Sequence, residues 1–217
     1  MCIFEKEDTM EKKVRKQIFS KIHNLVFMCT FLKGNNMKES SNPSSIRSKQ
    51  EITDALLKLM RKYPYPEITV KQIVLETDLA RKTFYLNYSS KDDVLDALMN
   101  QVIGDYVQAL SSSDDEPIAI IFNFCKKNKD LLKLLHKNNM LYLLLLKLNE
   151  VLPEHSRKSD MSRNPFAKLM TGLDSDYLIA FNIGAIWNVI FKWVDRGMKD
   201  SLEDIRNTID AYLKRLA

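Results

Sequence analysis

Arg81, Lys82, Thr83, Tyr85 and Lys91 lie within one short stretch and combine cations with hydroxyl donors. That mixture suits a polyanion. Guanidinium and ammonium groups pair with phosphate or with guanine edges, and hydroxyls donate to phosphate oxygens. Lys91 falls in the first turn of the helix that follows, where free backbone N–H groups and the helix dipole already favour an anion. Thr69, at the start of an earlier helix, adds one more hydroxyl to the set. Other chemistries find no support. There is no G-x-S-x-G, P-loop or dinucleotide fingerprint and no nucleophile–base pair. Cys2, Cys29 and Cys125 form no C-x-x-C, and His23, His136 and His155 are equally scattered, so neither a metal site nor a disulfide framework is expected. The reading is a cytoplasmic, non-enzymatic protein with no cofactor and no metal.

The elements that must position these residues are helices. Only 5 Gly and 6 Pro in 217 residues leave little turn chemistry for a β-rich fold, and no alternating strand pattern stands out. Ser48 and Glu51 have capping-box spacing, and Ile52, Ala55, Leu56, Leu59 and Met60 follow on one helical face. Tyr63-Pro64-Tyr65-Pro66 ends that helix. A second box, Thr69 with Gln72, opens a short helix that stops near Thr77-Asp78. A third short helix, about 80–86, carries Arg81, Lys82, Thr83 and Tyr85 outward and Phe84 inward. Ser90 with Asp93 caps the long helix that follows. Two short helices joined by a tight turn, with donors on the second, form a helix-turn-helix arrangement, whose second helix fits the major groove. Further helices are expected at about 116–127, 129–138, 139–152, 174–197 and 201–216, with a gap at Leu152-Pro153.

Charge divides the chain in the same way. Residues 47–91 hold nine basic and five acidic side chains, whereas Asp96–Ala217 holds sixteen of each. A basic segment on a neutral body suggests a polyanion-binding module joined to something else; the alternative is a solvated charged face. The longest uncharged run, Tyr177–Phe191, is 15 residues, too short to span a bilayer, so no membrane partner is expected. The division read from these patterns is an extension or linker at 1–43, a helix-turn-helix domain at 44–92 and a helical body at 93–217. Met37 opens a Ser/Asn-rich stretch and is expected to be the translation start, with residues 1–36 upstream of it; the alternative is that those residues form a genuine short N-terminal helix.

Residues 68–95, ITVKQIVLETDLARKTFYLNYSSKDDVL, resemble the DNA-binding signature of TetR-type transcriptional regulators. The signature is met by Thr69, Val70, Ile73, Thr83, Phe84, Tyr85, Tyr88, Ser90, Lys91 and Leu95. The likeness covers about 48 residues, and beyond it only the all-helical architecture agrees. It implies an all-α fold in which a three-helix DNA-binding domain precedes a helical domain for effector binding and dimerisation. Two positions depart from the family pattern. Asp78 stands where the turn usually has Gly, and Asp is one of the few residues that tolerate positive φ there. Ala80 stands where a capping Ser or Thr is usual, so Asp78 is expected to cap the third helix instead. The Trp187…Trp193…Gly197 ending, with Ser201, resembles a subgroup that includes dihydroxyacetone-kinase regulators.

In the body, an all-round apolar helix must be buried on more than one side. A second subunit is expected to cover one side, through Phe181, Gly184, Ala185, Trp187, Asn188 and Phe191, with Ile205, Ile209 and Tyr212 from the striped last helix, as an intermolecular four-helix bundle. The Leu131–Leu148 segment hints at an apolar or aromatic small-molecule effector but assigns no pocket residue. The expectation is a homodimeric repressor on a near-palindromic double-stranded DNA operator, released by an unknown effector. The alternative, left open by Asp78 and Ala80, is a regulatory module that keeps this fold but binds a protein partner.

Overall fold

The computed structural model describes residues 42–113, 115, 117–158 and 174–216. The expected start at Met37 and the extension before it lie outside these. Among the described residues there are nine α-helices and no strand: α1 (Pro43–Lys62), α2 (Val70–Leu75), α3 (Arg81–Asn87), α4 (Lys91–Ser112), α5 (Pro117–Lys127), α6 (Lys129–Lys137), α7 (Tyr142–Lys158), α8 (Ser175–Asp195) and α9 (Leu202–Leu216). Residues Arg47–Ala217 form one compact unit.

α1 begins earlier than the Ser48–Glu51 spacing suggests. Pro43 occupies the first turn, and the Asn42 side chain accepts the Ser44 N–H at 3.0 Å. Asn followed by Pro is a strong helix start, because Asn satisfies an orphan donor and Pro has none to lose. Ser48 is consequently buried inside the helix, and Glu51 pairs with Arg47 at 3.0 Å instead. The expected apolar face is correct: Ile52, Ala55, Leu56, Leu59 and Met60 are all buried. Ile73 on α2 and Phe84 on α3 are fully buried as well. Burying a side chain such as Phe84 contributes roughly 1.5–3 kcal/mol.

In the body, α4 packs on α5 and α7, and α8 packs on α6 and α7. Met99, Ile103, Leu132, Leu135, Leu141, Leu143 and Leu144 fill the space between. α7 runs through Pro153 rather than breaking before it. The α6–α7 corner turns at Asn139, whose φ of 57° is the left-handed conformation that ends helices, and the Met140 N–H returns to Leu135 O at 2.8 Å. α8 ends the same way at Gly197 (φ 78°) and Met198 (φ 57°), with the Met198 N–H on Trp193 O at 2.9 Å. By length and composition Asp176–Asp195 would reach across a bilayer, although its uncharged run does not. One side of it, Trp187, Ile190, Trp193 and Val194, is committed to the body's own core.

Candidate nucleic-acid interface

A capping box precedes α2 and another follows α3, at the start of α4. The Thr69 hydroxyl accepts the Gln72 N–H at 3.3 Å, and the Gln72 side chain accepts the Thr69 N–H at 2.8 Å, completing the expected capping box. Ser90 and Asp93 do the same for α4 at 3.1 and 3.0 Å.

The turn between α2 and α3 works differently from expectation. Thr77 Oγ1 donates to Val74 O at 2.9 Å and accepts the Leu79 N–H at 3.3 Å. A hydroxyl that both donates and accepts closes the turn by itself. Asp78 is exposed, is not in the left-handed region, and no side chain caps α3. The expectation that Asp78 caps this helix is therefore corrected: Thr77 closes the turn, and α3 starts from Ala80 without a side-chain cap. Glu76, at the end of α2, receives the Lys58 ammonium and lies 3.8 Å from Lys62, tying α2 to α1. The Lys58 hydrogen bond lowers the Glu76 carboxyl below its usual range, against a smaller effect of burial.

On α3, Phe84 is fully buried, edge-on to Tyr85 (centroids 5.4 Å apart) and 6.2 Å from Tyr88. This anchor turns the opposite face to solvent. Arg81, Lys82 and Tyr85 are exposed there, and Thr83 is half-buried. The Arg81 guanidinium lies 5.6 Å from the centre of the Tyr85 ring, with Nη2 3.4 Å from the hydroxyl. The ring thus orders the cation while leaving it accessible. Thr69 is exposed at the head of α2. Leu86, 75% exposed on the same side of α3 as Lys82, was not singled out from the sequence.

Lys91 faces inward. Its Nζ donates to the carbonyls of Tyr65, Pro66 and Ile68 at 2.8, 3.1 and 2.7 Å and sits 4.6 Å above the Tyr65 ring. An ammonium has three donors, and three carbonyls match them. Burial pushes its pKa down, opposed by the nearby Asp92. The expected phosphate ligand is here a clamp on the loop that leads to Thr69. Tyr65 is buried and donates its hydroxyl to Asp92 Oδ1 at 2.5 Å. Burial, then Asp92, pushes its phenol far above the ordinary value.

The residues expected at a subunit interface fall on two sides of α8. Phe181 (72% exposed), Ala185, Asn188 and Phe191 face solvent with Tyr177 (78%), at three- and four-residue steps. Gly184 is half-buried, and a Cβ there would meet nothing within 4 Å. Trp187 is 4% exposed and belongs to the protomer's own core, so it leaves the set. On α9, Tyr212 is exposed and Ile205 and Ile209 are half-buried. A buried lysine was also missed. Lys147, in the leucine run of α7, lies 3.5 Å from Asp96 on α4 and 3.0 Å from Glu150. Its one sequence signal is a lone lysine in an apolar run. Among the described residues no group of His, Cys, Asp and Glu could hold a metal.

Residues 52–98 match the family model described as bacterial regulatory proteins, tetR family. Residues 115–215 match that of a transcriptional regulator C-terminal region. No curated protein matches the chain in sequence. The similar solved structures include three regulators. The fatty acid degradation regulator FadR from Bacillus halodurans is 20% identical, with 78% of this chain and 94% of that chain covered and a TM-score of 0.51. A TetR transcriptional regulator from Streptococcus agalactiae 2603V is 19% identical, with 76% and 92% covered and a TM-score of 0.51. The dihydroxyacetone kinase operon activator DhaS is 19% identical, with 78% and 97% covered and a TM-score of 0.48. At these identities the likeness concerns the fold.

Proposed function

The chain belongs to the TetR family of transcriptional regulators, and from that premise we propose that it is a cytoplasmic homodimeric repressor that reads a near-palindromic operator and is released by a small-molecule effector. Members of this family are transcription factors and not enzymes. We take residues 44–92 as the DNA-reading head and 93–217 as the body.

One observation carries the reading. α3 buries Phe84 beneath an exposed face of Arg81, Lys82 and Tyr85, and the head that holds it is net basic, with nine Lys and Arg against six Asp and Glu over residues 44–92. In a major groove this face would offer Arg81 and Lys82 to guanine edges or phosphate, and Tyr85, Thr83 and Thr69 to phosphate. An exposed Leu86 suits contact with a thymine methyl. Lys91 would act on DNA through the loop it holds. The solvent-facing stripe of Tyr177, Phe181, Ala185, Asn188 and Phe191, with Ile205, Ile209 and Tyr212, supports a two-fold pairing of α8 and α9. Two heads so joined would enter successive major grooves.

The test is selection from a random duplex library by the full chain, with Arg81→Ala/Tyr85→Ala as control. The expected result is enrichment of a two-fold symmetric site that the control loses. Equal enrichment by both would reduce the protein to nonspecific polyanion binding. No enrichment by folded protein would overturn the operator reading and favour a protein partner.

A further inference from the structure

The last carbonyls of an α-helix have no partner inside it. In α1 the deficit is worse than usual. Met60 O would accept from the residue four places on, but that residue is Pro64, which has no N–H. The partners come from the far end of α6. Asn138 Nδ2 donates to Met60 O at 3.2 Å, and Lys137 Nζ donates to Arg61 O at 2.7 Å. Asn138 Oδ1 accepts the Tyr65 N–H at 3.0 Å, and Nδ2 also donates to Leu134 O at 3.0 Å. One amide thus serves an N–H and a carbonyl on the head while holding its own helix. Only a side chain with both donor and acceptor can do this. On its other side Tyr65 is tied to α4, through Asp92 and Lys91. The Tyr63–Pro66 turn is therefore gripped from two elements of the chain at once.

We propose that the Lys137–Asn138 corner is a positioning element that fixes the orientation of the head on the body, and so the half-site spacing at which two heads meet DNA. The second half of this statement rests on the operator-binding reading above; the first half does not. Neither residue touches the face of α3 that would meet DNA. A cation and an amide donor at a helix carboxyl end also complement its dipole, so the clasp is strongest when α1 is intact and correctly aimed.

Two measurements test it on the full-length protein. In the first, spin labels at Ser89→Cys and Lys133→Cys report the distance from head to body, with Cys2 and Cys29 replaced by Ser. Cys125 is buried and its thiol is pushed up to about 12, so it stays unlabelled. The distance distribution is expected to be narrow, and to broaden in Asn138→Ala and in Lys137→Ala while helical circular dichroism is unchanged. Lys137 is exposed, so its replacement guards against a variant that merely fails to fold. An unchanged width in both variants would overturn the proposal. In the second, binding is compared on the selected operator and on one lengthened by a base pair between half-sites. Wild type should prefer the native spacing by about tenfold, and Asn138→Ala should lose most of that ratio. A ratio kept while both affinities fall alike would mean a merely structural role and would overturn the proposal. Broadening in a protein that selects no operator would overturn the operator reading and leave the clasp supported.

Discussion

In α1–α3 the apolar core is closed, and Ile46, Leu75 and Leu86 are left outside singly among charged and hydroxylated side chains. Along one side of α8 and α9 the exposed side chains instead form an aromatic stripe. Ile52, Leu56, Ile73 and Phe84 are fully buried in the first region, whereas Tyr177, Phe181, Phe191 and Tyr212 stand in solvent in the second. The two kinds of exposure imply two kinds of partner. An exposed cation loses little in water and gains most against a polyanion. An exposed aromatic stripe gains by burial against another apolar surface. The exposed face of α3 is polar and would suit a polyanion; the exposed stripe of α8 and α9 is apolar surface that a second subunit would cover.

The largest effect should come from reversing the second kind of exposure. Phe181→Glu places a charge in the middle of the stripe. Central aromatic anchors contribute about 2–4 kcal/mol, so self-association should weaken by roughly 30- to 1000-fold. Sedimentation equilibrium measures this directly. Because Phe181 contributes little to the protomer's own core, the melting point of the dissociated chain should change little. A variant that stays dimeric at wild-type concentrations would remove α8 from the interface and break the contrast between the regions.

Legibility in the sequence follows the distance over which each bond acts. Thr69 with Gln72 and Ser90 with Asp93 were readable because both partners sit three residues apart on one helix start. The apolar face of α1 was readable for the same reason of period. The misreadings are of two sorts. Some are local contests between rival signals. Asn42-Pro43 starts α1 one turn before Ser48, and the Thr77 hydroxyl, not the Asp78 carboxylate, bonds in the turn. Others depend on which way the chain returns. Trp187 sits on an all-apolar helix, where sequence cannot say which side meets the body. Lys91 finds carbonyls more than twenty residues earlier, and Asn138 finds Tyr65 from 73 residues away. Lys147 finds Asp96 only once α4 and α7 are packed. No periodicity encodes such pairs.

A smaller effect should follow from the turn that joins α2 to α3. Thr77→Val keeps the shape and removes both hydrogen bonds of the hydroxyl, at a cost of about 1–2 kcal/mol. Asp78→Ala removes an exposed side chain that caps nothing and should stay within about 0.5 kcal/mol. Chemical denaturation of the two variants separates them. A larger loss from Asp78→Ala would return the cap to Asp78. The expected order would sharpen the contrast above, since the geometry of the DNA-facing helices would then be fixed by bonds wholly within the head.

The smallest effect concerns Glu76, whose carboxylate receives Lys58 and Lys62 from α1. The Lys58 hydrogen bond lowers its pKa in the folded chain. On acidification the unfolded chain therefore binds this proton first. The contribution is complete above the ordinary carboxylate range and is lost as pH falls through the lowered folded value. Glu76→Gln should thus melt slightly below wild type at neutral pH, and the gap should close on acidification. A gap independent of pH would assign the difference to packing of the side chain and not to its charge. The distinction bears on DNA binding, because Lys58 and Lys62 belong to the same basic excess that would face phosphate. A lysine neutralised by Glu76 is withdrawn from that excess. A closing gap would mean that the head spends part of its positive charge on holding α1 to α2, and that Arg81 and Lys82, for which no acidic partner is described, carry the share left for DNA.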